Sequence, residues 1–381
     1  MDNKLTLTAC ILTLSAGPMA FAHEVAYSHV HGDTNPAPPL KMVVEKKGPI
    51  KAPAESKEAI KTSGQGFWKF AAEKDLVPTP EETKAFLKGA HGTIIVDSDR
   101  DIVYWGLERV GWVAFSNRMS QSWVVKGDGM VSSGNLHGAD ILQRKGQLPL
   151  VVAADNVEHE VYLSDTTFTH VEKLDWPEGG PYTKKGEFNP TDAAFVGSED
   201  IWVTDGYGKR FFMPAKAKPF KYTGTFYGGE KAFSNTPHGI TYNSETKSLL
   251  VSARPEAIIK EYSLSKKKWL ESMGLPAGAH VCDVDLWEDY ALVPCLDGPP
   301  TAPGTPATPG PIYIVNLKKK TLVSTIQPKT ELGYADAQHM HDAAWYVRGK
   351  GKDREVFVLF TNWNPGGIGA LKLVNVPDKA N

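Results

Sequence analysis

The chain has 381 residues, 41% of them hydrophobic, which is enough for a large buried core. Its 42 basic and 44 acidic residues leave a formal charge of −2 with no basic stripe, which excludes the usual electrostatic footprint of a nucleic-acid binder. The 35 Gly and 27 Pro are spread along the chain and point to many short strands joined by turns.

Residues 1–22 read as an export signal: Lys4, a mostly apolar run from Leu5 to Met19, then the small-x-small site Ala20-Phe21-Ala22. Removal is expected, giving a periplasmic or secreted product with no membrane span; an uncleaved anchor is the alternative. Cys10 would leave with the signal. Residues 23–88 form an extension. It opens with His23, His29 and His31, which either collect metal or belong to a plain terminus. A Pro/Lys-rich linker (36–53) follows, then two helical patterns, one near 56–72 and one opened by Thr79-Pro80-Glu81-Glu82.

From His91 the chain repeats. A short motif, His or a substitute followed by a small or acidic residue and an apolar strand, occurs at His91-Gly92, His137-Gly138, Thr191-Asp192, His238-Gly239, His280-Val281 and His341-Asp342. The copies lie 42 to 61 residues apart, the longest gap holding a Pro/Gly insert at 298–311. Units of that length with several short strands are propeller blades, so residues 89–378 are expected to form an all-β, six-bladed β-propeller behind a partly helical extension. Cys282 and Cys295 fall near one end of a predicted hairpin and either pair or stay free.

First strands of propeller blades line the channel, so equivalent positions form a ring. His137, His238 and His341 fall on the second, fourth and sixth blades, a third of a turn apart. Three imidazoles so placed suit zinc with an open fourth position, and also copper, nickel or iron. His91 and His280 fill the same motif on odd blades, where a different height, a structural hydrogen bond or a substrate contact are all open.

Phe188-Asn189-Pro190-Thr191-Asp192, Trp202-Val203-Thr204-Asp205-Gly206-Tyr207, Pro237-His238-Gly239-Ile240 and Met340-His341-Asp342 carry a resemblance. Over roughly 91–373 the chain resembles the peptidyl-α-hydroxyglycine α-amidating lyase domain, a six-bladed propeller of the NHL-repeat type. The resemblance implies zinc on His137, His238 and His341, Tyr207 as catalytic base, and Arg254 as the partner of a substrate carboxylate. It implies calcium below, on the Asp342 carboxylate and main-chain carbonyls near Ala139 and Ile94. A second active-site arginine is implied on the first blade, with Arg109 and Arg118 competing for it. The sequence departs from the family at Leu136, where Pro is usual, at His339, where Met is usual, and at Gly208 and Leu250, which replace its cysteines. His339 would be a fourth ligand or an acid–base group. The implied activity is cleavage of a carbinolamide C–N bond in a small-molecule or peptide substrate. A non-catalytic scaffold or binding propeller with a structural metal, and a lactonase-like hydrolase, are the competing readings.

Overall fold

The computed structural model describes residues 37–56, 60–350 and 354–376. The signal segment with Cys10, and His23, His29 and His31, lie outside these residues. The described chain is a six-bladed β-propeller. The blades' inner strands are Thr93–Asp97, Leu136–Leu142, Asp192–Val196, Pro237–Asn243, Asp285–Trp287 and His339–Arg348 for blades one to six. In each blade the chain meanders outward from the axis through antiparallel neighbours. No helix among the described residues is long and apolar enough to cross a membrane.

The second strand of each blade is buried on both faces, which is why it is a nearly continuous apolar run rather than an alternating one. The strand Leu150–Asp155 shows the mechanism. Val151 and Ala153 pack toward blade one against Trp112 and Tyr104, while Val152 packs toward blade three against Phe195 and Val203. The same division recurs around the ring, so the hydrophobic core consists of six wedges between successive blades.

Two departures from the sequence reading concern closure. The helical pattern expected near 56–72 is instead a β-hairpin, Thr62–Gln65 and Trp68–Ala72. Its second strand pairs with Gly367–Leu373, with Phe70 opposite Leu373, so the chain's beginning completes the sixth blade and the ring starts before residue 89. Local periodicity is overruled here because Trp68 and Phe70, both fully buried, gain more from the wedge between blades five and six than an isolated helix offers. The second helical pattern survives as a short 3-10 segment, Glu81–Phe86. Further out, Glu45 in the linker is a buried carboxylate that accepts from Tyr290 Oη at 2.8 Å, Asn316 Nδ2 at 3.1 Å and Lys319 Nζ at 2.8 Å, fastening the linker to blade five.

Trp68→Ala should therefore destabilise the whole ring by about 3–5 kcal/mol, the range for truncating a buried large aromatic. Denaturant unfolding checks this; a loss below about 1 kcal/mol would mean that closure does not depend on the hairpin.

Candidate metal centre

The inner strand of a blade is an edge strand, and its outward N–H and C=O groups need partners. Aspartates of neighbouring blades supply many of them. Asp342 Oδ2 accepts from Ile94 N at 2.6 Å, Asp192 Oδ2 from Ile240 N at 2.7 Å, Asp140 Oδ2 from Phe195 N at 2.8 Å, and Asp285 Oδ2 from Trp345 N at 2.6 Å. Histidines serve the carbonyls. His137 Nδ1 donates to Thr191 O at 2.7 Å and His238 Nδ1 to Cys282 O at 2.8 Å, each across one blade boundary.

These bonds set the true register of the ring. Thr204 Oγ1 on blade three donates to His238 O, and the equivalent Thr361 Oγ1 on blade six donates to Gly92 O. The ring position is therefore held by Gly92, His137, Thr191, His238, Cys282 and His341. His91 lies one residue before it and His280 two, so the sequence motif is out of phase in blades one and five. In the three even blades the pairing register shifts at this point, between Leu136 and Gly138, Pro237 and Ile240, and Met340 and Ala343. Such a bulge re-aims a side chain, and here it accompanies each ring histidine.

His137, His238 and His341 come together as expected, with ring centroids 4.5, 4.8 and 4.9 Å apart. Donation from Nδ1 leaves Nε2 of His137 and His238 as lone-pair acceptors. His341 Nε2 lies 3.2 Å from His137 Nε2, while His341 Nδ1 is buried without a partner. His341 either donates Nε2–H to the His137 lone pair or, as its Nδ1–H tautomer, turns a third lone pair to the axis, the form that a metal would use. Imidazoles sharing one four-coordinate zinc would stand about 3.3 Å apart, from bonds of ~2.0 Å. Burial holds all three histidines well below the ordinary imidazole value, and neighbouring imidazoles and Arg254 push the same way. They are neutral at physiological pH, the state a metal requires, so the donor set fits a transition metal. His91 joins the cluster, its ring 5.0 Å from those of His137 and His341.

Directly beneath lies a carboxylate tier that the sequence reading found only in part. Asp342 is joined by Asp192 and Asp283, and the three share a void of about 10 Å³ with the ring histidines. Burial pushes the Asp192 and Asp283 carboxyls well above the ordinary carboxylate value, and Asp342 up as well. Asp283 Oδ1 is without a hydrogen-bond partner. Three hard oxygen donors with an unsatisfied one fit calcium or a similar cation. Ile94 and Ala139 line the wider cavity of about 380 Å³ that continues below, together with Asp140 and Asp285. The tier also explains the His-Gly pairs. A Cβ on Gly138 would sit 2.4 Å from Asp192 Oδ1, and one on Gly239 would sit 2.3 Å from Asp283 Oδ1.

Above the histidines, on the open face, Tyr207 Oη is 3.2 Å from Nε2 of both His137 and His238, and Arg254 Nη1 donates to it at 3.2 Å. Arg254 Nε and Nη2 are buried with no partner of good geometry, only the weakly accepting Cys282 thiol alongside. Burial pushes the Tyr207 phenol up and Arg254 draws it back, so its net direction is upward rather than the lowering a base would favour.

Other sequence candidates fall elsewhere. Arg118 sits in the turn after the third strand of blade one, at the end of the ring opposite the histidines, bound to Glu355 at 3.0 and 3.1 Å. Antiparallel strands carry it there, so it cannot serve as the second active-site arginine. Arg109 is on the histidine face, but it is half-exposed and lies over Phe86 beside Glu108. His339 is not in the ring: its Nδ1 lies 3.2 Å from both Leu296 O and Asp297 Oδ1. His280 Nδ1 approaches the other oxygen of Asp297 at 3.0 Å. Burial works to raise Asp297, but the two histidines win and hold its carboxyl well below the ordinary value. Cys282 and Cys295 are free and buried. Val281 pairs with Cys295, so alternation turns Cys282 to the opposite face and a disulfide is out of reach.

No protein-family model matches the chain, and no curated protein matches it. Among solved structures it is similar to Sqt1 of Saccharomyces cerevisiae, at 9% identity and a TM-score of 0.44 over 73% of this chain and 70% of that one. It is also similar to hydrazine synthase of Kuenenia stuttgartiensis, at 10% identity and a TM-score of 0.38 over 56% of this chain and 53% of that one.

Two outcomes test this geometry. Gly239→Ala forces Asp283 aside and should cost about 1–3 kcal/mol, the usual penalty for overpacking; unchanged stability would place the Asp283 carboxylate elsewhere. Asp285 is a carboxyl raised by burial to about 7. Its stabilising share is complete below its unfolded value near 3.8 and is lost as pH rises through about 7. Relative to wild type, Asp285→Asn should gain on the order of 1 kcal/mol or more between pH 4 and pH 8, read from denaturation midpoints. A pH-independent difference would refute the assignment.

Proposed function

We propose that the chain is an exported, metal-binding propeller whose open face takes a small anionic substrate and cleaves a carbinolamide C–N bond, releasing an amide and an aldehyde acid such as glyoxylate. The observation that carries this reading is Tyr207, whose hydroxyl lies 3.2 Å from two ring histidines and from Arg254. A metal that only ties blades together needs neither a phenol nor a guanidinium there.

His137, His238 and His341 would hold the transition metal, zinc by first choice, and the Asp192, Asp283 and Asp342 tier would hold a hard cation such as calcium. When bound, the transition metal supplies a Lewis acid that eases deprotonation of a hydroxyl. Arg254 would grip the substrate carboxylate through Nε and Nη2, a task that suits its planar fork. Tyr207 is within reach and would receive the hydroxyl proton in its phenolate form, which the Arg254 charge favours against the burial that otherwise keeps the phenol protonated. The hydroxyl oxygen's electron pair then forms the aldehyde C=O as the C–N bond breaks, and the departing amide nitrogen takes up the proton that Tyr207 received, returning the phenol to its starting state.

A second reading is a binding or scaffold module with a structural axial metal. The propeller fold itself fits it, and so does the way Tyr207 and Arg254 satisfy one another. Metal analysis of purified protein, with glyoxylate release from an α-hydroxyglycine peptide, separates the two. His238→Ala should lose most of the transition metal. Tyr207→Phe should keep metal and fold while losing ~10²-fold or more in turnover, as expected for a positioned acid–base group. Metal-replete wild type that releases no glyoxylate would defeat the lyase reading and leave the binding module.

A further inference from the structure

A further imidazole, His91, stands against two of the three ring histidines, His137 and His341, and the register of blade one decides where it stands. The ring position of that blade is Gly92, so His91 lies one residue nearer the open face than His137, His238 and His341. Ligands from alternate blades surround the axis and leave it open above and below. Below is the carboxylate tier. Above, between blades six and two, is His91.

One nitrogen each of His91, His137 and His341 lies within 4.8 Å of the others. The His91 ring is set in place from two sides. It stacks on Trp363 at 5.5 Å with an interplanar angle of 18°, and its Nδ1 lies 3.3 Å from Asn135 Nδ2. Asn135 is in turn tied to Asn156 Oδ1 at 2.9 Å. A metal-ligating histidine ordinarily keeps a polar partner on its other ring nitrogen. Asn135 Oδ1 is buried without a partner, and a half-turn of the Asn135 amide, matched by one of Asn156 that keeps their bond, brings that oxygen to His91 Nδ1–H, the tautomer whose Nε2 carries a lone pair.

We propose that His91 is a fourth protein ligand, capping the transition metal from the open face. This rests on the metal-centre reading above and changes its chemistry. The metal is then held by four imidazoles, a set suited to zinc, copper, nickel or iron, and the position that a tri-histidine site leaves vacant is filled by the protein. An incoming substrate atom must displace His91 or add beside it.

Metal-free wild type, His91→Ala, His91→Gln and His238→Ala are compared by cobalt(II) titration read from the visible bands, with circular dichroism and melting as controls for folding. His91→Gln keeps a polar side chain between Asn135 and Trp363 should the alanine variant not fold. Both His91 variants should lose at least the roughly 10–100-fold in metal affinity that removing a mere second-shell partner costs. Their cobalt bands should also shift, and added free imidazole should restore the wild-type spectrum in His91→Ala. Wild-type affinity and spectrum in a folded His91 variant, alongside loss of cobalt in His238→Ala, would overturn the fourth ligand and leave the tri-histidine centre standing. A wild-type protein that takes up neither cobalt nor zinc would defeat both.

Discussion

Each blade turns an unpaired strand edge toward the axis, and the centre of the molecule is organised by how those backbone groups find partners. In a closed ring there is no water-exposed rim on which to leave them, and a buried orphan N–H or C=O is costly. Aspartates from one blade accept the N–H groups of the next at four boundaries, and histidine Nδ1 atoms donate to carbonyls at two. The residues that look functional are thus also the stitching of the ring. Because Nδ1 is committed to a carbonyl, Nε2 of His137 and His238 must face the axis as a lone pair.

The stitching produces two chemically distinct levels. Soft imidazole nitrogens occupy the bulged positions of the even blades, and hard carboxylates lie one residue further along in blades three, five and six. Gly138 and Gly239 keep the levels from colliding, since any side chain there would meet the neighbouring aspartate. Burial drives both sets toward neutrality, the imidazoles by lowering their pKa and the carboxyls by raising theirs. A cation at either level would reverse that tendency for the carboxylates and use the lone pairs of the imidazoles.

The open face is built by another repeated position, the turn that follows the second strand of each blade. Those turns place Asn156, Tyr207, Arg254 and Asp297 on this face from blades two to five, and in blade six the last residue of the second strand, Trp363, takes the place. Each is a different residue type on the same structural peg, which is how a propeller varies its chemistry without changing its frame. Asp297 uses its peg to hold His280 and His339, joining blades five and six at the mouth.

The sequence by itself determined the six-fold repetition, the all-β class and the phase of His137, His238 and His341, because these depend on spacing along the chain. Tyr207 and Arg254 were singled out only through the resemblance to the lyase domain, and the structure places the Tyr207 hydroxyl against two ring histidines and Arg254. The sequence put His91 and His280 in the same motif slot but left their height and role open, since a shift of one or two residues along a strand leaves a short motif looking alike while the cross-blade bonds change completely. It read 56–72 as helix because the partner strand, Gly367–Leu373, lies some three hundred residues away and carries no local trace. Arg118 and Arg109 are nine residues apart and equally suitable on paper; one antiparallel strand sends them to opposite ends of the ring. Only the tertiary structure could add Asp192 and Asp283 to Asp342, because that tier exists through contacts between blades rather than through any pattern within one.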